Sequence, residues 1–334
     1  MNKEFLEVLC DPYTKEDLIY EKNRLINKNG QSYSIINGIP VLLEMSDSER
    51  NTYAINLFEK KAPIYDKYQH LSFETFFLNE EEVRKSLINK LGIKQEMKVL
   101  ELSAGTGRDS ILIKERLNES SQLFVQDISM DMLNVLRSKF QEDEVFITQS
   151  NASALPYKEK VFDAVYSFAG VGMSTYSDTK QLMKEIVRVC KKGAKVVLGG
   201  LSMAPWLYDS EFGKILINHN THYANVLDLK GLPIEARNVS LSWILNGAGF
   251  CIEFEIGEGE PEGNFDFQIP GERGGTLRTR YYGKLEGVAP EVKELAYKAR
   301  AKKNISMYDF INTAIKESAE KILEEKGEEG NGKD

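Results

Sequence analysis

The chain has 334 residues, of which 42% are hydrophobic and 28% are charged, and its net charge at pH 7 is -8. A chain of this length and composition can bury a complete α/β core and still carry additional segments. The negative charge disfavours a partner as anionic as nucleic acid, because affinity for such a partner depends largely on neutralising phosphates. No apolar run approaches the roughly 18 residues that a membrane span requires, so we expect no membrane contact.

The cysteine pattern indicates the redox state of the protein's compartment. Cys10, Cys190 and Cys251 lie far apart and form no CxxC pair. This spacing supports neither a disulfide framework nor a structural zinc site. Because the sequence also opens without a charged leader and an apolar core, we expect a cytoplasmic protein.

Residues 1–45 are predicted to form a small β-rich accessory domain of their own. Four short strands are separated by turns at Asn29-Gly30 and Asn37-Gly38, namely Leu18–Tyr20, Arg24–Ile26, Ser32–Ile36 and Val41–Leu43. Residues 46–96 are helical in character, and their last helix, Glu80–Leu91, ends at Gly92. We expect these residues to form a helical arm that leads into the main domain.

Residues 97–285 are predicted to form that main domain. Strand-like and helix-like runs alternate from residue 97 to residue 201, which favours a parallel, doubly wound sheet. Residues 202–236 interrupt the alternation and are longer than an ordinary connection, so we expect a lid. A helix over Val239–Asn246, a strand over Phe250–Ile256 and a strand over Thr276–Leu285 complete the domain. Two amphipathic helices within 286–327 and a disordered tail, 328–334, are expected to follow.

The most informative segment is 98–109, Lys-Val-Leu-Glu-Leu-Ser-Ala-Gly-Thr-Gly-Arg-Asp, in which an apolar strand ends in an acid and a glycine-rich turn. Such a turn lets the backbone approach a small ligand at the start of a helix. Asp127 lies 20 residues past Gly107, at the end of a second apolar run, where these folds place an acid for ribose hydroxyls. Taken alone, Asp127 is also typical of a cap for the helix that begins near Met130. Ser110 stands where a dinucleotide site has its third glycine, which disfavours NAD.

The turn resembles the first motif of class I S-adenosylmethionine-dependent methyltransferases, with Ser103 in place of the usual first glycine. Three further segments resemble the same family in the same order, namely 125–133, 150–156 and 161–168. The resemblance covers roughly residues 50–257, and the core is similar to that of type 11 methyltransferases and of ubiquinone and menaquinone C-methyltransferases.

This resemblance implies an α/β fold with a Rossmann-like, doubly wound, seven-stranded mixed sheet, an inserted lid and a helical carboxyl-terminal extension. It also implies S-adenosylmethionine as methyl donor and S-adenosylhomocysteine as product. Glu101 would meet the cationic methionine moiety, Asp127 the ribose hydroxyls, and Ile128 with Met132 the adenine. The implied cofactor residues are Tyr65, Glu101, Ser103, Gly105, Gly107, Asp127, Ile128, Met132, Asn151, Ala152, Ser167 and Phe168.

The amino-terminal unit carries a second resemblance. Residues 9–18 and 32–42 are similar to a small ribbon domain, often zinc-binding, that accompanies or activates some RNA and protein methyltransferases. Only Cys10 remains of the possible ligands, so we expect no metal and regard the ribbon as degenerate. A comparable ribbon precedes some ribosomal RNA guanine methyltransferases, which keeps RNA open as a substrate.

The sequence says less about the methyl acceptor than about the methyl donor. His219 and His222 lie in the predicted lid and are the candidate general bases, although a packing or solvated role suits them equally. We expect a small molecule or a modified peptide as acceptor and direct displacement as mechanism. The alternatives are methylation of a base in rRNA or tRNA, and a non-catalytic cofactor-binding partner module. The carboxyl-terminal helices offer a surface for oligomerisation.

Overall fold

The computed structural model describes residues 1–43, 62–142, 144–170, 176–225, 227–270 and 275–328. The first part of the predicted arm, residues 46–61, and the predicted tail from residue 329 onward lie outside the described residues. The chain divides into two compact units, Met1–Pro261 and Glu262–Asp334.

The first unit is built on one sheet, which has eleven strands within the described residues. The strands are β1 (Leu18–Glu21), β2 (Arg24–Asn27), β3 (Ser32–Ile36), β4 (Ile39–Leu42), β5 (Lys98–Leu102), β6 (Gln122–Asp127), β7 (Phe146–Ser150), β8 (Phe162–Phe168), β9 (Cys190–Leu201), β10 (Ala236–Ile244) and β11 (Gly249–Ile256). Their order is β1-β2-β3-β4-β7-β6-β5-β8-β9-β11-β10. Strands β5 to β9 pair in parallel, and β10 and β11 are antiparallel.

The predicted α/β class is confirmed, but the predicted count of seven strands is wrong. Seven strands, β5 to β11, form the mixed core, and the amino-terminal strands extend that sheet instead of forming a separate one. The link is a parallel pairing of β4 with β7, in which Val41 lies opposite Gln149. A sequence pattern reveals strands but not their partners, so this pairing was not predicted.

Helices cover both faces of the sheet. They are α1 (Lys3–Val8), α2 (Leu71–Glu74), α3 (Glu80–Asn89), α4 (Arg108–Lys114), α5 (Met130–Arg137), α6 (Tyr176–Val189) and α7 (Glu211–His219), and residues 62–68 are also helical. Alternate strand residues enter opposite cores: Leu100 and Phe124 pack in one cluster, and Val99 and Val125 in the other. Burial on both faces explains why these strands are almost continuously apolar.

Two predicted elements are wrong in type. Residues 239–244 of the predicted helix Val239–Asn246 belong to β10, because apolar and polar residues alternate through Val-Ser-Leu-Ser-Trp and pair with β11 in an antiparallel hairpin. The predicted strand Thr276–Leu285 is instead helix α8 (Leu277–Tyr282), which Thr276 and Thr279 open with a reciprocal capping box.

The second unit contains α8, α9 (Pro290–Lys303) and α10 (Met307–Glu328). Among its described residues, only Thr276 is buried. Several large apolar side chains of this unit are exposed, including Leu295, Ile315 and Leu323. In the described part of the chain, no helix is both long and apolar enough to cross a bilayer.

Candidate cofactor site

The glycine-rich turn connects the end of β5 to the start of α4 and is open on one side. Gly105 and Gly107 have left-handed φ angles of 56° and 83°. No atom lies within 4 Å of the position that a β-carbon on Gly105 would occupy, whereas a β-carbon on Gly107 would lie 2.7 Å from Leu136. Gly107 therefore allows α4 to begin against α5, and Gly105 leaves backbone accessible to a ligand.

Ser103, which replaces the usual first glycine, is also in the left-handed region, with φ of 53°. Its backbone N–H donates to Oε1 of Gln126 at 3.3 Å. Gln126 Nε2 in turn donates to the carbonyl of Ser150, at the end of β7. One buried amide side chain therefore links the ends of β5, β6 and β7.

Asp127 ends β6 and holds the turn through its carboxylate. Oδ2 accepts from the N–H of Gly105 at 2.8 Å, and Oδ1 accepts from the N–H of Ser129 at 2.9 Å. Burial raises the pKa of Asp127 although these bonds oppose the rise. The cap of α5 is Ser129, whose hydroxyl accepts from the N–H of Met132. The backbone N–H of Ile128 also contributes to holding this carboxylate, and the acceptor capacity that remains suits a ribose hydroxyl.

The first three residues of α4 are each fixed by a side chain from another element. Arg108 donates to Glu80 at 2.7 Å, and Asp109 accepts from Arg84 at 2.5 Å. Ser110 donates its hydroxyl to Glu101 at 2.5 Å. The serine that argues against a dinucleotide site is therefore the hydrogen-bond partner of the acid that ends β5.

Glu101 is only 2% exposed, so its charge is poorly solvated. Burial raises its pKa well above the usual range, and the nearby Asp109 adds to the rise, while Ser110 and Arg84 oppose it. A cation placed beside Glu101 would favour its ionised form and so oppose the rise in its pKa.

Tyr65 lies in the helical residues 62–68 and is half-buried. Burial raises the pKa of its phenol, with opposing contributions from Arg84, which lowers it, and Asp127, which raises it. Tyr65 is therefore within electrostatic range of the acid at the end of β6.

The residues implied for the adenine side follow β6 and β7. The carbonyl of Ile128 accepts from Nε2 of Gln149 at 2.9 Å, and Met132 is buried at the start of α5. Oδ1 of Asn151 accepts from the N–H of Ser153 at 2.9 Å, so this side chain shapes its own turn. Ala152 is half-buried beside it.

Ser167 and Phe168 lie at the carboxyl end of β8. The Ser167 hydroxyl is buried and has no hydrogen-bond partner among the described residues. The guanidinium of Arg84 lies 5.3 Å from the ring centre of Phe168. An unpartnered buried hydroxyl suits a site that takes a polar ligand.

His219 and His222 are both exposed. Nδ1 of His222 lies 3.5 Å from Nδ2 of Asn225. The turn that carries His222 is tied to the end of β9, because the N–H of Met203 donates to the carbonyl of Tyr223 at 2.9 Å. Since β9 is parallel to β8, this turn follows the same sheet edge as the glycine-rich turn. That edge is where doubly wound sheets bind ligands.

Residues 99–193 match the family model of a methyltransferase domain. The chain is 29% identical over 137 residues to the demethylmenaquinone methyltransferase of Oceanobacillus iheyensis, covering 40% of this chain and 57% of that protein. It is 31% identical over 145 residues to the enzyme of the same name from Bacillus mycoides, covering 42% and 59%. The chain thus spans less than two thirds of these relatives.

A solved structure of a methyltransferase from Methanococcus maripaludis, described as S-adenosylmethionine-dependent, is also similar. Its sequence identity is 20%, its TM-score is 0.45, and the match covers 66% of this chain and all of that one.

Several residues that build this site were not predicted. Ion pairs around the first turn of α4 join Glu80, Arg84, Arg108 and Asp109. The side chain of Gln126 hydrogen-bonds to residues at the ends of β5 and β7. The spacing of Glu80 and Arg84, four residues apart, predicts an ordinary surface pair on a helix. Only the packing of α3 against α4 shows that this pair is buried.

Proposed function

We propose that the protein is an S-adenosylmethionine-dependent methyltransferase that transfers a methyl group to a small-molecule acceptor. The observation that carries this proposal is the Asp127–Gly105 link, which places a buried carboxylate beside an open glycine backbone. The unpartnered hydroxyl of Ser167 also fits a polar ligand at this edge. The methyltransferase-domain match supports the same activity.

Each side chain then has a binding task. Asp127 would accept hydrogen bonds from the ribose, and Ile128 with Met132 would flank the adenine beside Asn151 and Ala152. Glu101 and Tyr65 would face the methionine moiety, with Gly105 and Gly107 giving close backbone approach. Ser103, Ser167 and Phe168 would complete the wall of the site.

When bound, S-adenosylmethionine supplies a methyl group on a positively charged sulfur, and its transfer leaves S-adenosylhomocysteine. The protein's part is to align the acceptor with that methyl group and to exclude water. A general base is required only when the acceptor arrives protonated. We assign that role to His222, with His219 as the alternative, because the His222 turn is anchored to the end of β9.

The names of the relatives support a choice of acceptor. Both are demethylmenaquinone methyltransferases, which favours a small molecule over an RNA base or a peptide. A demethylated naphthoquinol is therefore the first acceptor to test.

Two measurements test the proposal. Isothermal titration calorimetry should show saturable binding of S-adenosylmethionine and S-adenosylhomocysteine. Incubation with methyl-labelled donor and a demethylated naphthoquinol should transfer label to the quinol. Absence of binding for both compounds would overturn the enzyme assignment, and binding without transfer to any small-molecule acceptor would support a cofactor-binding partner module.

We further propose a cytoplasmic location and a self-association through α9 and α10. The three cysteines are unpaired and buried, as suits a reducing compartment. Helix α9 carries five Lys or Arg and two Glu, whereas α10 carries six Asp or Glu and three Lys, so two copies can pair opposite charges. Sedimentation at several concentrations should show a dimer, which the substitution Ile315→Asp should dissociate.

The amino-terminal ribbon keeps a proposed role in packing or partner contact. Asp11 organises it: its carboxylate accepts from Asn27 and from Tyr33, each at 2.8 Å. No three His, Cys, Asp or Glu side chains group as metal ligands within the described ranges.

A further inference from the structure

The helical residues 62–68 are fastened to the glycine-rich turn through one carboxylate. Thr106, which lies between Gly105 and Gly107, donates its hydroxyl to Oδ1 of Asp66 at 2.6 Å. Lys139 donates to Oδ2 of Asp66 at 2.5 Å and to the carbonyl of Thr106 at 2.7 Å. Asp66 therefore contacts the side chain of Thr106, and Lys139 contacts both Asp66 and the backbone of Thr106.

A third contact comes from α4. Arg108 donates to the backbone carbonyl of Asp66 at 3.3 Å and lies 3.5 Å from Oδ1. The same guanidinium pairs with Glu80, which pairs with Arg84, which in turn pairs with Asp109. A chain of alternating charges therefore runs from Lys139 at the surface to the buried first turn of α4.

The contacts of Asp66 favour its ionised carboxylate form. Burial opposes its ionisation, but hydrogen bonds from Lys139 and Thr106, together with the nearby cations, lower its pKa. The side chains of Asp66, Lys139 and Arg108 are 35%, 22% and 26% exposed. Ion pairs that are partly shielded from water in this way are stronger than fully exposed pairs.

We propose that Asp66 is a positioning residue that holds residues 62–68 across the glycine-rich turn and so closes the cofactor site. The inference rests on the proposed function. Residue 65 is carried by the same helical turn, so the Asp66 contacts also fix the place of Tyr65. Cofactor exchange then requires the helical segment to lift, and the Asp66 contacts resist that motion.

The test uses Asp66→Asn in the full chain, because asparagine keeps the shape and one acceptor but loses the charge. The matched control is Asp17→Asn, which removes an exposed pair with Lys158 by the same substitution. We expect the dissociation constant for S-adenosylhomocysteine to rise about tenfold in Asp66→Asn, mainly through faster dissociation. The control should bind as the unchanged protein does.

Two further readouts separate positioning from general stability. Hydrogen exchange should show that S-adenosylhomocysteine protects 62–68 in the unchanged protein and much less in Asp66→Asn. The KM for S-adenosylmethionine should rise, while the KM for the acceptor stays the same. If Asp66→Asn does not fold, Lys139→Met and Thr106→Val remove the partners and are measured in its place.

The outcomes distinguish the two proposals. If the unchanged protein binds neither cofactor form, the proposed function fails. If the unchanged protein binds and Asp66→Asn matches it in affinity, dissociation rate and protection, the positioning role of Asp66 is overturned and the function stands.

Discussion

Ser103 occupies the space that a side chain at Gly170 would need. A β-carbon on Gly170 would lie 2.1 Å from Cβ and 3.0 Å from Oγ of Ser103. Ser103 therefore replaces the usual glycine of the motif at the end of β5, and Gly170, which follows β8, is the residue that faces it. The two residues act as a matched pair, and the serine is accommodated because its neighbour has no side chain.

This pairing predicts a rescue. Gly170→Ala should destabilise the protein by about 1–3 kcal/mol, because no space remains for the methyl group. The double variant Ser103→Gly with Gly170→Ala should recover part of that loss, because it removes the clash with the Ser103 side chain and leaves only the backbone oxygen of residue 103, at 3.1 Å, close to the new methyl group. Thermal unfolding of both variants checks the prediction. Equal losses in the single and the double variant would contradict it.

The sequence predicted the parts of the site that depend on local pattern. The sequence alone shows the turn at Gly105 and Gly107 and the acid at Asp127, together with the strand ends that carry them. These features can be read locally because strand, turn and helix follow one another directly along the chain. The structure adds what these residues touch, such as the Gly105 N–H on Asp127.

Other features depend on contacts between distant residues. Asp66 meets Lys139 and Thr106 across 73 and 40 positions, and no local pattern marks such a contact. The wrong helix at Val239–Asn246 has a related cause, since a short amphipathic run becomes a strand when β11 offers it an edge. Likewise, β4 joins the amino-terminal strands to the main sheet by pairing with β7, which lies more than 100 residues further along the chain.

Asp127 is predicted to carry much of the affinity for the cofactor. Asp127→Ala should raise the dissociation constant for S-adenosylhomocysteine by about 100-fold, because hydrogen bonds to a charged group are worth roughly 1.5–3 kcal/mol. The control is Asp131→Ala, an exposed acid in the first turn of the adjoining α5. Calorimetry measures both variants. Equal affinity of the two variants would show that Asp127 serves only to hold the turn.

Glu101 is predicted to make stability depend on pH. Its pKa is raised in the folded state, so the folded protein binds more protons than the unfolded chain between the usual value of 4.5 and the raised one. Stability from this group is therefore full at low pH and declines as the pH rises through that window. Glu101→Gln, which cannot ionise, should flatten the decline.

The measurement for Glu101 is urea unfolding from pH 5 to pH 8 without cofactor, with Glu115→Gln as the control. Glu115 follows α4, at its carboxyl end. The unchanged protein and the control should lose stability in parallel, and Glu101→Gln should lose less. Parallel curves for all three proteins would mean that Glu101 is already ionised with a compensating partner.

His222 is predicted to act after the cofactor has bound. For an acceptor that must lose a proton, His222→Ala should lower kcat by about 100-fold, the usual contribution of a general base, and leave the affinity for S-adenosylhomocysteine unchanged. His219→Ala is the matched control, since it removes an exposed histidine three residues earlier. If kcat falls in His219→Ala instead, the base is His219; if neither variant lowers kcat, the proton leaves without either histidine.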